Sequence, residues 1–358
     1  MKKILFLVNG LGLGNSIRIY ALIERLKKND IECNIITSGN GKWFFSNLID
    51  EKFLNFIEPI NYGSINKKLS AVKTILNVSN ILKTINKNSL FIYKIINKFK
   101  PDVIVTDSVY LFPEIKKKFS IPIVAINNAD LTLDYFKKFK NKPLSIYPQF
   151  YAIEQLDYIY HKHVPDLVIS PCFLNKDILN SKNRAKIKRV GPIVRLGIKK
   201  RKEKKLKNGA IMLSGSNFGV NVNLKNKNQP FKLDIIGREK PLSWNNIKNV
   251  KFHGKLKNNL DILNSIDFCV VNGGYSALSE LYWAEIPMII IPVKNHSEQW
   301  TNAKQIADAG CAILSSEENY ENEIFKLRTN YEIFCENFYK QKINNDGAEQ
   351  AIKLILNI

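Results

Sequence analysis

The chain has 358 residues, 45% of them hydrophobic, which is long for one domain and natural for two, each with its own core. Its 54 Lys and Arg outnumber 32 Asp and Glu, giving a net charge of +22, so anionic partners such as nucleotide phosphates or an anionic membrane surface are expected. No apolar run approaches the roughly 20 residues that span a bilayer, and no nucleic-acid module is evident, so neither a membrane span nor nucleic-acid binding is expected.

Met1-Lys2-Lys3 leads into Ile4–Val8, too short for a secretory leader and the right length for a buried strand. Five cysteines, Cys33, Cys172, Cys269, Cys311 and Cys335, are scattered and never form CxxC. Both features fit a cytoplasmic protein, soluble or peripheral on the inner face of the cell membrane. Gly10, Gly12 and Gly14 follow the first strand, with Asn15 next, and a helix is predicted from about Ser16 to Lys28 before a strand at Ile35–Thr37. This strand, glycine loop, helix and strand make the opening of a dinucleotide-type half domain. The loop either touches a phosphate or substrate or only turns the chain.

From Ile65 to Lys100 apolar residues recur at helical spacing (Leu69, Val72, Ile75, Leu76, Ile81, Leu82, Ile85) with lysines between them, which predicts two amphipathic helices. Their apolar face packs on a sheet or, with the lysines, docks on an anionic membrane. Pro101–Asp107 and Ile121–Ile126 read as strands that end at Asp107 and Asn127. Asp107 either takes part in chemistry or caps the next element. Leu167–Ser170 reads as the last strand of a first domain covering residues 1–190, and His161 and His163 before it read as surface histidines without metal-ligand spacing.

Residues 191–207 form a basic linker that starts Gly191-Pro192-Ile193-Val194-Arg195 and carries a solvated charge run from Lys199 to Lys205. In a second domain, 208–340, the strand Ala210–Leu213 and the loop Ser214-Gly215-Ser216-Asn217 repeat the opening of the first. Phe231–Ile236 and Val250–His253 are further strands. Phe268–Val271 is a buried strand, Asn272-Gly273-Gly274 a turn, and Tyr275–Glu285 a helix stopped by Ile286-Pro287. A strand, Met288–Val293, precedes a loop holding Glu298 and Gln299. Such a glycine turn offers backbone N–H groups at a helix N-terminus to a phosphate, including those of Tyr275 and Ser276. Glu280 either accepts bonds from a vicinal diol or only complements the helix dipole. Phosphate seat, hydroxyl acceptor and second polar pair together imply a nucleotide-sugar pocket. A C-terminal helix is expected within 341–358.

Asn272-Gly273-Gly274 with Ser276, Glu280, Pro287, Pro292, Glu298-Gln299 and Asn302-Ala303 resembles the C-terminal half of GT-B glycosyltransferases over some forty residues. The nearest group contains the peptidoglycan lipid II N-acetylglucosaminyltransferase, family 28. The resemblance implies an α/β fold of two Rossmann-like, doubly wound parallel-sheet domains, with a C-terminal helix returning to the first. It also implies that Gly12, Gly14 and Asn15 lie on the acceptor side. Arg195 and the Ser214, Gly215, Ser216 and Asn217 loop would stand near the donor diphosphate. Phe252, His253 and Leu256 would lie near the base, although His253 also fits an ordinary loop histidine. Glu280 would hold the ribose, and Glu298 and Gln299 the sugar.

No DxD pair stands where a divalent metal is expected, so no metal or other cofactor is anticipated beyond a UDP-sugar co-substrate. Many relatives carry a histidine where this chain has Asn15, and an amide cannot act as a base. Asp107 or Asp130 would then serve, or the acceptor is already ionised, or there is no turnover. The resemblance implies an inverting, UDP-sugar-dependent transferase acting on a lipid-linked or cell-surface polysaccharide precursor. A nucleotide-sugar hydrolase of nonulosonic acid synthesis and a non-catalytic binding subunit are the alternatives.

Overall fold

A computed structural model of the chain describes residues 1–27, 30–60, 64–65, 68–69, 76–111, 114–179, 186–201, 205–212, 224, 228–237, 247–343 and 345–358. The chain divides into two compact units, Met1–Leu196 with Asn345–Ile358, and Gly197–Asn344.

In the first unit lie β1 (Lys2–Val8), β2 (Ile31–Thr37), β3 (Leu54–Phe56), a short antiparallel hairpin of β4 (Ser64–Ile65) and β5 (Lys68–Leu69), β6 (Val103–Asp107), β7 (Ile123–Ile126), β8 (Leu167–Pro171) and β9 (Ile187–Val190). All but the hairpin form one parallel sheet in the order β3-β2-β1-β6-β7-β8-β9. β6 and β7 are buried along their whole length, because hydrophobic clusters cover both sheet faces; β7 is apolar throughout, and β6 is apolar up to Thr106 and Asp107 at its carboxyl end. β9 lies beyond the strand expected to be last. Lys188 and Arg189 interrupt its apolar pattern, and only Ile187 and Val190 are buried, as suits an edge strand.

Helix α1 (Gly14–Leu26) follows β1 and buries Ile19, Leu22 and Leu26 against the sheet. Where two helices were expected, the described part of 65–100 holds one helix, α2 (Val78–Phe99), whose Ile92, Ile96 and Phe99 pack with Leu5, Leu7 and Ile104. Helix α3 (Gln155–His163) is entered through a π-helical turn at Phe150–Glu154. The segment around His161 is thus helical.

The second unit contains β10 (Asn208–Met212), β11 (Asn228–Ile236), β12 (Lys248–Gly254), β13 (Phe268–Val271), β14 (Met288–Ile290) and β15 (Ala312–Leu314). They form a parallel sheet in the order β12-β11-β10-β13-β14-β15. Helix α4 (Tyr275–Trp283) follows β13, and helix α5 (Ser297–Asp308) follows β14. β14 stops before Pro292, which has no N–H to donate to a ladder. The basic run is pinned where it is described: Lys200 pairs with Glu285 at 2.9 Å, and Arg201 reaches Asp267 at 3.0 Å while stacking over Tyr331. It is therefore not simply solvated.

In both sheets the strand order reverses direction beside the first strand, between β1 and β6 and between β10 and β13. Open α/β sheets bind ligands at the carboxyl ends of strands at such a point.

The chain ends in helix α6 (Gly347–Leu356), part of the first unit, whose Ala348, Ala351, Ile352 and Ile355 join the core of α1. Asp346 caps it by accepting from the N–H groups of Ala348 and Glu349, and the same carboxylate receives Arg25 Nη2 at 2.8 Å. Gly191 and Gly347 meet so closely that a Cβ on Gly347 would stand 1.8 Å from the Gly191 carbonyl oxygen.

Candidate functional site

In the second unit, the site is built on the turn between β13 and α4. Asn272 is buried and donates from Nδ2 to the Ile291 carbonyl at 3.2 Å, tying the end of β13 to the chain leaving β14. At Gly273 a Cβ would lie 2.4 Å from the Gln299 carbonyl oxygen, so only glycine lets the start of α5 come this close. Gly274 is the N-cap of α4, has extended backbone, and faces open space where a Cβ would be. Neither α4 nor α5 has a side-chain hydrogen bond at its N-cap. Two positive helix ends therefore meet at Gly273, the electrostatic setting that favours an anion.

Polar side chains surround this turn. Asn302 Nδ2 donates to the Gly273 carbonyl at 3.2 Å and to Glu298 Oε1 at 3.4 Å. Gln299 Oε1 accepts from the Val293 N–H at 3.0 Å. Glu298 and Gln299 stand in the first turn of α5, where a loop was expected, and both are half-buried. Tyr275, Ser276 and Glu280 are buried on α4. His296, which the sequence reading passed over, ends the same loop: its Nδ1 is sealed from water without a hydrogen-bond partner, and burial lowers its pKa to about 4. The structure brings Gly273, Gln299 and, through Asn302, Glu298 together, with Gly274 beside them, and places Tyr275, Ser276 and Glu280 on the helix α4 that follows.

The remaining donor-side candidates differ. His253 lies on β12 and its Nε2 is 2.6 Å from Asp234 Oδ1 of β11, so it is a cross-strand partner and not a loop histidine. Phe252, on the same strand, packs against the core of the unit. Of the three, only Leu256 lies beyond the strand end. Arg195 falls in the first unit, is buried, and its charge acts on Glu24 and Tyr20 of α1. Ser214, Gly215, Ser216 and Asn217 lie outside the described residues.

In the first unit, the glycine loop contributes differently from its spacing. A Cβ on Gly10 would stand 1.6 Å from the Ser38 carbonyl oxygen, whereas Gly12 has open space around it. Close packing thus requires glycine at Gly10. Gly14 and Asn15 form the first turn of α1, Asn15 half-buried.

The two carboxylates considered as bases have other work. Asp107 is fully buried, and Arg18 holds it with two bonds, Nε to Oδ2 at 2.8 Å and Nη2 to Oδ1 at 2.7 Å. Asp130 is also buried: Arg189 donates to its Oδ2 through Nε at 3.0 Å and Nη2 at 2.9 Å, and Ser170 donates to its Oδ1. Each carboxylate compensates a buried guanidinium group within the first unit.

His161, read from the sequence as a surface histidine, is instead buried on α3. Its Nδ1 lies 2.8 Å from the Asp157 carbonyl oxygen and 3.1 Å from Asp157 Oδ1. Asp157 also accepts from Tyr110 Oη and from Asn127 Nδ2, both at 2.9 Å. Burial would raise the Asp157 carboxyl, but His161, Asn127 and Tyr110 outweigh it and hold the group below its ordinary value. Burial would likewise lower the His161 imidazole, yet Asp157, with help from Asp107, raises it above the usual histidine value. The signal available beforehand was the i,i+4 spacing of Asp157 and His161, which needs the helix to be recognised first.

The family model described as Glycosyl transferase family 1 matches residues 2–327. The chain belongs to this glycosyltransferase family. An uncharacterized glycosyltransferase of Methanosarcina mazei is 24% identical to it over 335 residues, 86% of this chain and 84% of that protein. The UDP-N-acetylglucosamine–N-acetylmuramyl-(pentapeptide) pyrophosphoryl-undecaprenol N-acetylglucosamine transferase 3 of Bacillus cereus is 34% identical over 104 residues, 26% of this chain and 29% of that protein. Among solved structures, MurG of Acinetobacter baumannii matches with a TM-score of 0.61 at 14% identity over 100% of both chains. The spinosyn rhamnosyltransferase SpnG matches with a TM-score of 0.62 at 12% identity, again over 100% of both. These likenesses establish the GT-B fold, with two parallel-sheet α/β units and the resemblance to family 28. Among the described residues no helix is long and apolar enough to cross a membrane.

Proposed function

We propose that this glycosyltransferase moves a hexosyl unit from a UDP-sugar to a lipid-linked or cell-surface polysaccharide precursor, with inversion and without a bound metal. One observation carries the reading: the N-termini of α4 and α5 converge at Gly273, where the glycine is sterically required. Backbone amides from Gly273 to Ser276 take the donor diphosphate and stabilise the charge of the departing nucleoside diphosphate. That arrangement supplies the electrostatic role for which other transferases use a divalent ion. Glu280 holds the ribose hydroxyls, Glu298 and Gln299 the sugar hydroxyls, and Leu256 lies toward the base.

The choice of UDP and of a lipid-linked acceptor is supported by the name of the Bacillus cereus relative. Helix α2 gives it further support, since Leu82, Leu90 and Phe91 are exposed among Lys83, Lys87 and Lys94, a surface suited to the inner face of an anionic membrane. The donor site is tested with Glu280→Ala. Loss of charged hydrogen bonds to hydroxyls should weaken UDP-sugar binding by roughly 1.5–3 kcal/mol, measured by calorimetry. An unchanged affinity would remove Glu280 from the site.

A further inference from the structure

The segment that joins the helix Ala129–Lys138 to α3 carries a surface with no part in the proposed transfer. Between Asp134 and Glu154 the chain has four lysines, Lys137, Lys138, Lys140 and Lys142, and no acidic residue. Pro143 leads into a short helical turn, Leu144–Ile146, whose two ends differ: Leu144 is 86% exposed and Ile146 only 3%. Tyr147 and Tyr151 follow, their ring centroids 6.2 Å apart, and Tyr151 is exposed. Leu156 and Ile159, three residues apart on one face of α3, are exposed as well. We propose that this segment is a bilayer contact: Leu144 enters the apolar boundary of an anionic membrane, the tyrosines lie at headgroup level, and the lysines hold anionic lipid. The inference goes beyond the proposed transfer and beyond α2, and it needs only the first unit.

A single exposed leucine means little. Here the tip is held out by the packing beneath it. Ile146 and Phe150 are buried, and Phe150 stacks on Phe136 with centroids 3.6 Å and planes 9° apart. Phe136 in turn meets Tyr147 edge-on at 5.3 Å. Lys142 Nζ lies over the Phe136 and Tyr147 rings at 5.2 and 6.0 Å and donates to the Phe139 carbonyl, which ties down the start of the turn. Asn141, with φ of 54°, reverses the chain just before it, a left-handed conformation that asparagine tolerates. The turn is thus shaped before it meets a partner, so little ordering entropy opposes insertion.

Charge and order of residues decide the occupant. Lys137, Lys138 and Lys140 are exposed, and an anionic leaflet strengthens binding by roughly fivefold for each lysine near its surface. An apolar protein partner would have no use for these charges. A soluble polyanion would have none for Leu144. A leucine at the tip, tyrosines behind it and lysines at the base form the sequence of groups that an interfacial anchor presents to lipid.

The test is partition of the full chain onto phosphatidylcholine vesicles with and without phosphatidylserine, at low salt and with no nucleotide present. The wild type should bind the anionic vesicles, leave them in high salt, and exchange its amides at 140–151 more slowly when bound. Leu144→Ser, at a side chain already 86% exposed, should keep the wild-type thermal midpoint and weaken binding by roughly tenfold. Lys137→Gln combined with Lys140→Gln should weaken it by roughly 25-fold. Full binding by Leu144→Ser would overturn the proposal and leave α2 as the contact. Loss through the lysines alone would overturn it in favour of a soluble polyanion, and equal binding to vesicles without phosphatidylserine would overturn the role of charge. A wild type that binds no vesicles would contradict this surface and the docking of α2 together. One that binds vesicles through Leu144 but binds no UDP would discard the donor reading and uphold this contact.

Discussion

Asp107 and Arg18 show at the scale of a residue why a carboxylate at a strand end is not automatically chemical. Both are buried and joined by two short hydrogen bonds. Asp107→Ala leaves a buried guanidinium uncompensated and should lower stability by about 3–5 kcal/mol in urea titrations. Full stability with lost activity would instead restore a chemical role. Gly273 is a second such position: Gly273→Ala would force a Cβ against the start of α5, costing about 1–3 kcal/mol and weakening nucleotide binding. Wild-type stability in that variant would show that the turn has room. For His161 and Asp157 the signs are opposite. The raised imidazole contributes stability that is fully present below the unfolded value near ~6.5 and lost as pH rises through its folded pKa. The lowered carboxyl contributes above about 3.9 and is lost as pH falls through its folded pKa. The stability lost in His161→Gln should therefore be greatest between about pH 4 and 6.5 and shrink at higher pH. The glycine turn was legible in the sequence because glycine and asparagine announce themselves. The roles of Asp107, Asp130 and His161 were not, since each depends on a partner 4 to 89 residues away.

At the scale of elements, uninterrupted apolar runs such as Phe268–Val271 gave reliable strands because both sheet faces are covered. The edge strand β9 escaped, as edge strands carry charge. The helical periodicity of α2 was legible, while most of the stretch before it, where a further helix was expected, lies outside the described residues. If the exposed Leu82, Leu90 and Phe91 dock on lipid, the protein should co-sediment with anionic vesicles at low salt and be released by high salt. No co-sedimentation would leave α2 without that role. The final helix depends on its cap: Asp346→Ala should cost roughly 1–2 kcal/mol, seen as a lower thermal midpoint, through loss of the bonds to Ala348 and Glu349 and of the Arg25 contact. A neutral substitution would show that helix packing alone holds α6.

Over the whole molecule, two sheets with the same strand logic each present a switch point, and the loops that carry polar residues follow the strands beside it. This duplication was visible in the repeated strand and glycine loop, before any contact was known. In the second unit, the helix N-termini that meet at Gly273 are the seat proposed for a nucleoside diphosphate. A thermal-shift screen against UDP, GDP, dTDP, CMP and their sugar conjugates tests it most directly. A ligand at 100 times its dissociation constant adds about 2.7 kcal/mol to stability. UDP and its sugar conjugates should raise the midpoint of the wild type, and Glu280→Ala should diminish the shift. No shift with any of these ligands would contradict it.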